Sequence, residues 1–214
     1  MSRPLRSILI ILVCSLTLLQ LGGVVDVVGE ASSLRADLLG GGATTGATPP
    51  TPDVGTSQPD DESASLSPSL LERLVHEEVN EARAERGLAR LGFDPSLAQV
   101  ARYHSRDMAT DDYFAHVSPE GETLADRYAL FGYDCYIKTG PLSYAKGGEN
   151  IFYTSFAGVS YTETELAERT VTGWLDSPSH RENLLRSYWE NEGIGVWVRE
   201  DGGRTHVYVT QNFC

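Results

Sequence analysis

Apolar residues recur at helical spacing in several segments after residue 68. Ser69–Arg86 repeats them every three or four positions and stops at Gly87, which predicts a first helix. Asp94 followed by Pro95 predicts the start of a second helix, because Asp caps helix N-termini and Pro fits the first helical position. Further helices are predicted at residues 121–131, 163–175 and 180–186.

Two segments near the C-terminus alternate apolar and polar residues, which is the period of a strand. They are Gly193–Arg199 and His206–Phe213, and the turn sequence Asp201-Gly202-Gly203 between them predicts a hairpin. A third strand is expected around Asn150–Tyr153. Because helices precede the hairpin, the predicted fold class is α+β.

Residues 1–31 are predicted to be a targeting segment. Arg3 and Arg6 precede the apolar run Ile8–Leu21, which is the layout of an export signal. A spanning helix needs about 20 apolar residues, a length that the run approaches only if it continues to Val25. The segment is therefore either a cleaved signal peptide or an N-terminal membrane anchor. Both alternatives predict an extracellular protein, secreted or tethered to the outer face of the membrane.

Residues 32–68 have the composition of a linker. Gly, Thr, Ser, Pro and acidic residues dominate, and large apolar side chains are almost absent from residues 43–69. Such a segment buries too little apolar surface to offset the entropy lost on ordering. We therefore expect a flexible acidic linker, followed by one folded domain at residues 69–214.

The net charge is −13 and the pI is about 4.7, which argues against nucleic acid and anionic membranes as main partners. Contact with a membrane is expected only through the N-terminal segment. The only lysines are Lys138 and Lys146. An acidic, lysine-poor composition predicts adaptation to high salt, where ions screen the repulsion between carboxylates. An ordinary acidic protein from a GC-rich genome is the alternative.

The chain has 3 cysteines, and Cys14 lies in the targeting segment. Outside the cytoplasm, the remaining Cys135 and Cys214 favour a disulfide. In the chain-entropy model a disulfide that closes such a long loop stabilises the folded protein by about 4 kcal/mol. Two unpaired thiols are the alternative, because the sequence does not show whether the two α carbons come within reach.

Three polar segments, at residues 114–119, 147–151 and 174–181, interrupt the otherwise apolar domain. They contain His116, Glu149 and His180. Two histidines and a carboxylate are a sensible set of zinc ligands that leaves a position open for water or another ligand. Zn²⁺ or another divalent cation is therefore a candidate cofactor. Ordinary hydrogen-bonded loop residues are the alternative.

These three segments, together with further motifs along the domain, resemble in order the motifs of the CAP family in its prokaryotic branch. The family comprises cysteine-rich secretory proteins, insect venom allergens and plant pathogenesis-related proteins, and its domain is also called SCP. The matching motifs are Asn80-x-x-Arg83, Ala101-x-x-His104-Ser105, His116-x-Ser118-Pro119, Gly148-Glu149-Asn150-Ile151, Ser177-Pro178-x-His180-Arg181, Gly193-Ile194-Gly195-Val196 and Tyr208–Phe213. The resemblance implies an α-β-α sandwich with a small central antiparallel sheet flanked by helices.

The resemblance also implies a cleft in which many members hold a divalent metal with two His and two Glu. By motif, His116, Glu149 and His180 fill three of these places. The fourth Glu, expected just after the motif tryptophan, has no match, and Asp176 is the nearest carboxylate. The chain thus departs from the family's metal set by one ligand.

His104 is predicted on the inner face of the second helix, among apolar residues such as Val100 and Met108. One interpretation is a core histidine whose hydrogen bonds are satisfied. The other is a cleft residue that orients a ligand-binding neighbour.

Two function classes follow for a cleft lined by the residues predicted above, which are His104, His116, Glu149, Asp176 and His180. The favoured hypothesis is a non-enzymatic extracellular module that binds an apolar small molecule such as a lipid or sterol, a glycan, or a cell-surface protein. Sterol or fatty-acid binding is what the resemblance implies. The alternative is a protease-like hydrolase that depends on a divalent metal, although a His-Glu-x-x-His motif is absent. A structural role at the cell surface is a third hypothesis.

Overall fold

The structure, a computed structural model, describes Gln58 and residues 66–214. The predicted targeting segment and nearly all of the predicted linker lie outside the described residues. The helices are α1 (Pro68–Glu85), α2 (Pro95–Thr110), α3 (Leu124–Leu130), α4 (Glu163–Asp176) and α5 (Pro178–Leu184). The strands are β1 (Gly92–Phe93), β2 (Ile137–Lys138), β3 (Tyr144–Ala145), β4 (Gly148–Phe156), β5 (Asn191–Asp201) and β6 (Arg204–Phe213). Within the described residues, no helix combines the length and apolar character needed to cross a membrane.

Local capping decides where the helices begin and end. The side chain of Asp94 accepts from the backbone N–H of Ser96 at 2.8 Å, so the predicted start of α2 is confirmed. Gly87, with φ of 71°, follows the end of α1 as predicted. Helix α3 is shorter than predicted, because the capping box of Thr123 and Asp126 starts it after Thr123.

The main sheet has the strand order β1-β5-β6-β4. Strand β6 pairs antiparallel with both β5 and β4, which confirms the predicted hairpin and the predicted third strand. Strand β1 adds a parallel pair at the start of β5, so the sheet is mixed. The sequence does not reveal β1, because two residues are too few to show an alternating pattern. Strands β2 and β3 form a separate small ladder.

Helices cover both faces of the main sheet, as the predicted α-β-α sandwich requires. Helix α2 packs on β5 and β6, whereas α1, α4 and α5 lie on the opposite side. The larger apolar cluster joins α1, α4 and the sheet through residues such as Leu71, Trp174 and Val209, all of which are fully buried. A second cluster surrounds Cys135, which forms the predicted disulfide with Cys214 at a Cα–Cα distance of 5.6 Å.

Gln58 contacts the sheet, although it belongs to the segment predicted as a linker. Its side-chain amide donates to the carbonyl of Val198 at 2.9 Å and accepts from the N–H of the same residue at 2.8 Å. These backbone groups belong to the part of β5 that extends past its pairing with β1. Gln58 therefore satisfies hydrogen-bonding groups that an edge strand otherwise leaves open.

Two glycines of β5 let α2 lie directly on the strand. A Cβ at Gly195 would lie 2.1 Å from the backbone nitrogen of Arg102, and one at Gly193 would lie 2.1 Å from that of Ala98. No side chain fits at these distances, so close backbone packing explains the Gly-x-Gly spacing. The same packing brings His104 on α2 to 3.9 Å from Glu149 on β4.

We expect Gly195→Ala to destabilise the protein by about 3 kcal/mol, because the added methyl group overlaps helix backbone rather than a movable side chain. Chemical denaturation measures the change. Gly173→Ala is the matched control, since its Cβ meets only the ring of Phe152, at 3.1 Å. Equal stability of the two variants would contradict the proposed packing.

Candidate functional site

Adjacent residues at the start of β4 send their side chains to opposite faces of the sheet, as the pleat of a strand requires. Glu149 meets residues of α2 and α3. Asn150 instead meets the carbonyl of His180 on α5, at 3.2 Å. Four of the five predicted site residues therefore gather at this end of β4 from both layers of helices, namely His104, His116, Glu149 and His180.

Glu149 is the centre of the site, and its side chain is only 4% exposed. One carboxylate oxygen accepts from Nδ1 of His116 at 2.9 Å, and the other accepts from the guanidinium of Arg127 at 2.9 Å. Asn212 adds a third donor at 3.2 Å once its amide is oriented by the surrounding hydrogen bonds. Both oxygens of this buried carboxylate are thus occupied by N–H donors.

Arg127 is fully buried and was not predicted from the sequence. Besides Glu149, its guanidinium donates to the carbonyl of His116 at 3.1 Å and to that of Glu122 at 3.2 Å. It therefore fixes both the carboxylate and the loop that carries His116. The available signal was its position on the inner face of α3, one residue before the buried Tyr128.

The surroundings of Glu149 keep it ionised. Burial by itself raises the pKa of this carboxyl group. The hydrogen bond from His116 and the positive charge of Arg127 outweigh burial, so the pKa lies below its ordinary value. The resulting charge is balanced by the guanidinium, so the buried part of the site carries an anion and a cation together.

His116 and His180 form the accessible part of the site. Their ring centroids are 6.0 Å apart, with the rings edge to face. The side chain of His116 is 50% exposed, and its bond to Glu149 leaves Nε2 directed elsewhere. Burial, followed by the proximity of His116, lowers the pKa of His180 and favours its neutral form. The two imidazoles therefore present ring nitrogens that donate or accept hydrogen bonds.

His104 is a buried residue that also lies close to the predicted site residue Glu149. Its ring is completely buried, and Nε2 donates to the carbonyl of Ala115 at 3.0 Å, which holds the segment leading to His116. The same nitrogen lies 3.9 Å from Glu149. Burial lowers the pKa of His104 to about 4, against a smaller opposing effect of Glu149. His104 is thus a neutral core residue that borders the cleft.

Asp176 does not join this group. Within the described residues it makes no hydrogen bond or ion pair with His116, Glu149 or His180. Asp176 instead lines a separate surface pocket of about 360 Å³ together with Phe152 and Glu168. The nearest carboxylate in sequence therefore does not replace the fourth Glu of the family's metal set.

The residues present do not fit a divalent metal ion. Within residues 66–214, no group of three or more His, Cys, Asp or Glu side chains has a metal-binding arrangement. His116 uses Nδ1 to bind Glu149, and the other oxygen of Glu149 is held by Arg127. A cation bound by Glu149 would have to displace one of these donors and would then lie beside a buried guanidinium. The predicted zinc site therefore has no support from the geometry.

We expect His104→Gln to reduce the loss of unfolding free energy that the protein shows as the pH falls. The pKa of His104 is about 4 in the folded protein and about 6.5 in the unfolded chain, so the unfolded chain binds more protons between these values. The contribution of neutral His104 to the free energy of unfolding is complete above pH 6.5 and decreases towards pH 4, by on the order of 3 kcal/mol. Urea unfolding at pH 7, 5 and 4 measures it. Equal pH slopes for wild type and variant would refute this assignment.

Comparison with known proteins agrees with these motifs. The chain matches the CAP (cysteine-rich secretory protein) family over residues 76–213. It is 34% identical over 142 residues to the uncharacterized membrane protein YlbC of Bacillus subtilis strain 168, covering 66% of this chain and 34% of YlbC. It is 30% identical over 148 residues to the uncharacterized protein YkwD of the same organism, covering 66% of this chain and 51% of YkwD. The chain thus spans between about a third and a half of these curated relatives.

A solved structure shows the same fold. It is an extracellular protein of Bacillus anthracis that contains an SCP domain. Its identity to this chain is 29% and the TM-score is 0.50, with 68% of this chain and 40% of that chain covered. Because the family match includes well over half of the chain, and because bacterial relatives share both sequence and fold, the chain belongs to the CAP family in its bacterial form.

Proposed function

We propose that this protein is an exported CAP-domain module that binds an uncharged ligand, with the sugar units of a glycan as the favoured class. The observation that carries the proposal is the pair of accessible imidazoles, His116 and His180, above a carboxylate whose charge is already balanced by Arg127. Such a site offers hydrogen bonds rather than net charge. A binding role without catalysis is the function that this geometry supports best.

The charge of the cleft favours a neutral ligand. Glu149 and Arg127 compensate each other, and His104 and His180 are held towards their neutral forms by burial. The whole chain carries a net charge of −13, which repels anionic polymers at long range. Hydroxyl groups, which both donate and accept, suit the nitrogens of His116 and His180.

Exposed apolar side chains lie close to His116 in the sequence. Phe114 and Val117 flank His116 in the chain and are 48% and 46% exposed. The ring of Phe114 is 5.9 Å from that of Tyr153, which is 37% exposed and follows Glu149 along the same face of β4. We call Phe114, Val117 and Tyr153 the apolar shelf. Apolar and aromatic walls with a few polar groups are typical of small-ligand sites, and a sugar ring has both an apolar face and hydroxyl groups.

Export is supported by several independent features. The bacterial SCP-domain protein that resembles this chain is described as extracellular, and YlbC is described as a membrane protein. The chain begins with the basic and apolar pattern of an export signal. A disulfide between Cys135 and Cys214 is typical of an oxidising environment. We therefore propose a location outside the cytoplasm, either secreted or tethered to the membrane.

Glycan binding is tested by screening the purified protein against neutral and acidic glycans and measuring the affinity of any hit by calorimetry. We expect binding to neutral glycans, weakened at least about tenfold by His116→Ala or Phe114→Ala, which corresponds to about 1.4 kcal/mol. The matched control is Leu142→Ala, because Leu142 is 94% exposed and belongs to neither the cleft nor the shelf.

Three outcomes would overturn the glycan assignment. They are unchanged affinity in both the His116→Ala and the Phe114→Ala variant, binding confined to lipid vesicles, and binding confined to a cell-surface protein. Turnover of a bound glycan or peptide by the wild type would instead favour the hydrolase. In that case His116, oriented by Glu149, is the residue placed to act as a base.

The metal-dependent hydrolase is tested separately by zinc titration. Because N–H donors occupy Glu149, we expect wild type to bind Zn²⁺ no more tightly than the His116→Ala, His180→Ala double variant. Calorimetry with both proteins in the same buffer makes the comparison. Saturable binding near one zinc per chain that the double variant loses would restore the metal site and contradict the conclusion that these residues do not fit a metal ion.

A further inference from the structure

A second buried carboxylate lies on the face of the sheet opposite Glu149. Glu192 of β5 is completely buried. One of its oxygens accepts from Nε2 of Gln211 at 2.5 Å, and the other is 2.7 Å from Nδ1 of His76. The buried guanidinium of Arg83 faces the same interior, where the charge of Glu192 opposes the lowering of the arginine pKa by burial. Neither the family's metal set nor the cleft described above includes Glu192.

Hydrogen bonds continue from Glu192 to the cleft. Asn150 is the register partner of Gln211, and its amide nitrogen donates to the amide oxygen of Gln211 at 3.0 Å. The same nitrogen donates to the carbonyl of His180 at 3.2 Å. Asn183 donates to the amide oxygen of Asn150 at 3.2 Å and to the carbonyl of Glu149 at 3.1 Å. We call Gln211, Asn150 and Asn183 the amide chain.

The amide chain has one hydrogen-bonding direction. An ionised carboxylate only accepts, so Gln211 must turn its nitrogen towards Glu192 and its oxygen towards Asn150. Asn150 must then present its nitrogen to Gln211 and His180 and its oxygen to Asn183. Each amide orientation therefore agrees with the acceptor at the end of the chain, and the backbone carbonyls of His180 and Glu149 fix Asn150 and Asn183 in the same sense.

The hydrogen bond between His76 and the other oxygen of Glu192 also has a fixed direction. The amide oxygen of Asn80 accepts from the N–H of Leu91 at 2.6 Å, and its nitrogen donates to the carbonyl of Leu91, so the Asn80 amide cannot reverse. That nitrogen is 3.3 Å from Nε2 of His76, which must therefore accept. His76 then carries its proton on Nδ1 and donates to Glu192. Both oxygens of Glu192 are acceptors.

We propose that Glu192 is a positioning residue for the cleft. Its carboxylate orients Gln211, the first amide of the chain, and Gln211 in turn accepts from Asn150, which donates to the backbone carbonyl of the candidate site residue His180. The consequence for binding rests on the proposed function, because His180 is one of its contact residues. The chain of orientations itself does not depend on any ligand.

The test is Glu192→Gln in the full chain without ligand, followed by NMR. This substitution keeps the size of the side chain but places an NH₂ group against the donors of Gln211 or His76. We expect the side-chain amide signals of Asn150 and Asn183, and the backbone and ring signals of His180, to shift. Glu190→Gln, at an exposed position two residues away, is the matched control and should leave these signals unchanged.

A loss of general packing alone would not produce this pattern in a folded variant. Changes confined to Gln211 and His76, with Asn150, Asn183 and His180 at their wild-type positions, would overturn the proposal. Failure of the glycan screen with these shifts present would reject the proposed function and leave the positioning role intact.

A measurement on the wild type covers the case in which Glu192→Gln does not fold. Scalar couplings across hydrogen bonds should connect the side-chain nitrogen of Gln211 with the carboxyl carbon of Glu192. They should also connect the side-chain nitrogen of Asn150 with the amide carbon of Gln211. Couplings in the opposite direction, or none where the amide signals are sharp, would contradict the proposal.

Discussion

The candidate site is organised around the need to keep one carboxylate ionised inside the protein. An isolated buried carboxylate loses several kcal/mol of hydration free energy, and only close donors and an opposite charge repay that loss. Arg127 supplies the charge, and His116 and Asn212 supply further donors. Because the same guanidinium also binds the carbonyl of His116, the group that neutralises Glu149 also positions the accessible imidazole. Neutralisation and geometry are therefore achieved by one residue.

Strand alternation links this arrangement to the second face of the sheet. Glu149 and Asn150 are consecutive, so the residue that reaches Arg127 and the residue that reaches α5 cannot move independently. Helix α2 lies against β5 without an intervening layer of side chains, because Gly193 and Gly195 leave no Cβ in the way. The close approach brings His104 to the carboxylate. A site assembled from both helical layers thus depends on a rigid sheet between them.

Sequence reasoning captured what local patterns encode. Helix caps such as Asp94, the hairpin of β5 and β6, and the pairing of Cys135 with Cys214 all follow from residue chemistry at short range or from cysteine number. Arg127 and Glu192 were missed because a charged side chain in an apolar pattern is ordinarily assigned to the surface. Only the fold shows that each has a buried partner. Strand β1 was missed because its pairing with β5 involves residues about 100 positions apart.

The net charge of the candidate site determines whether it favours a divalent metal ion. A site with two carboxylates and no cation favours a divalent metal, because its negative charge offsets the dehydration of the ion. Among the described residues no second carboxylate joins Glu149 in the candidate site, and Arg127 occupies the environment of Glu149. Adding a doubly charged ion would place three positive charges against one negative charge in a region of low dielectric, where repulsion is strong. The departure from the family's metal set and the presence of the arginine thus act in the same direction, towards the neutral, hydrogen-bonding ligand of the proposed function.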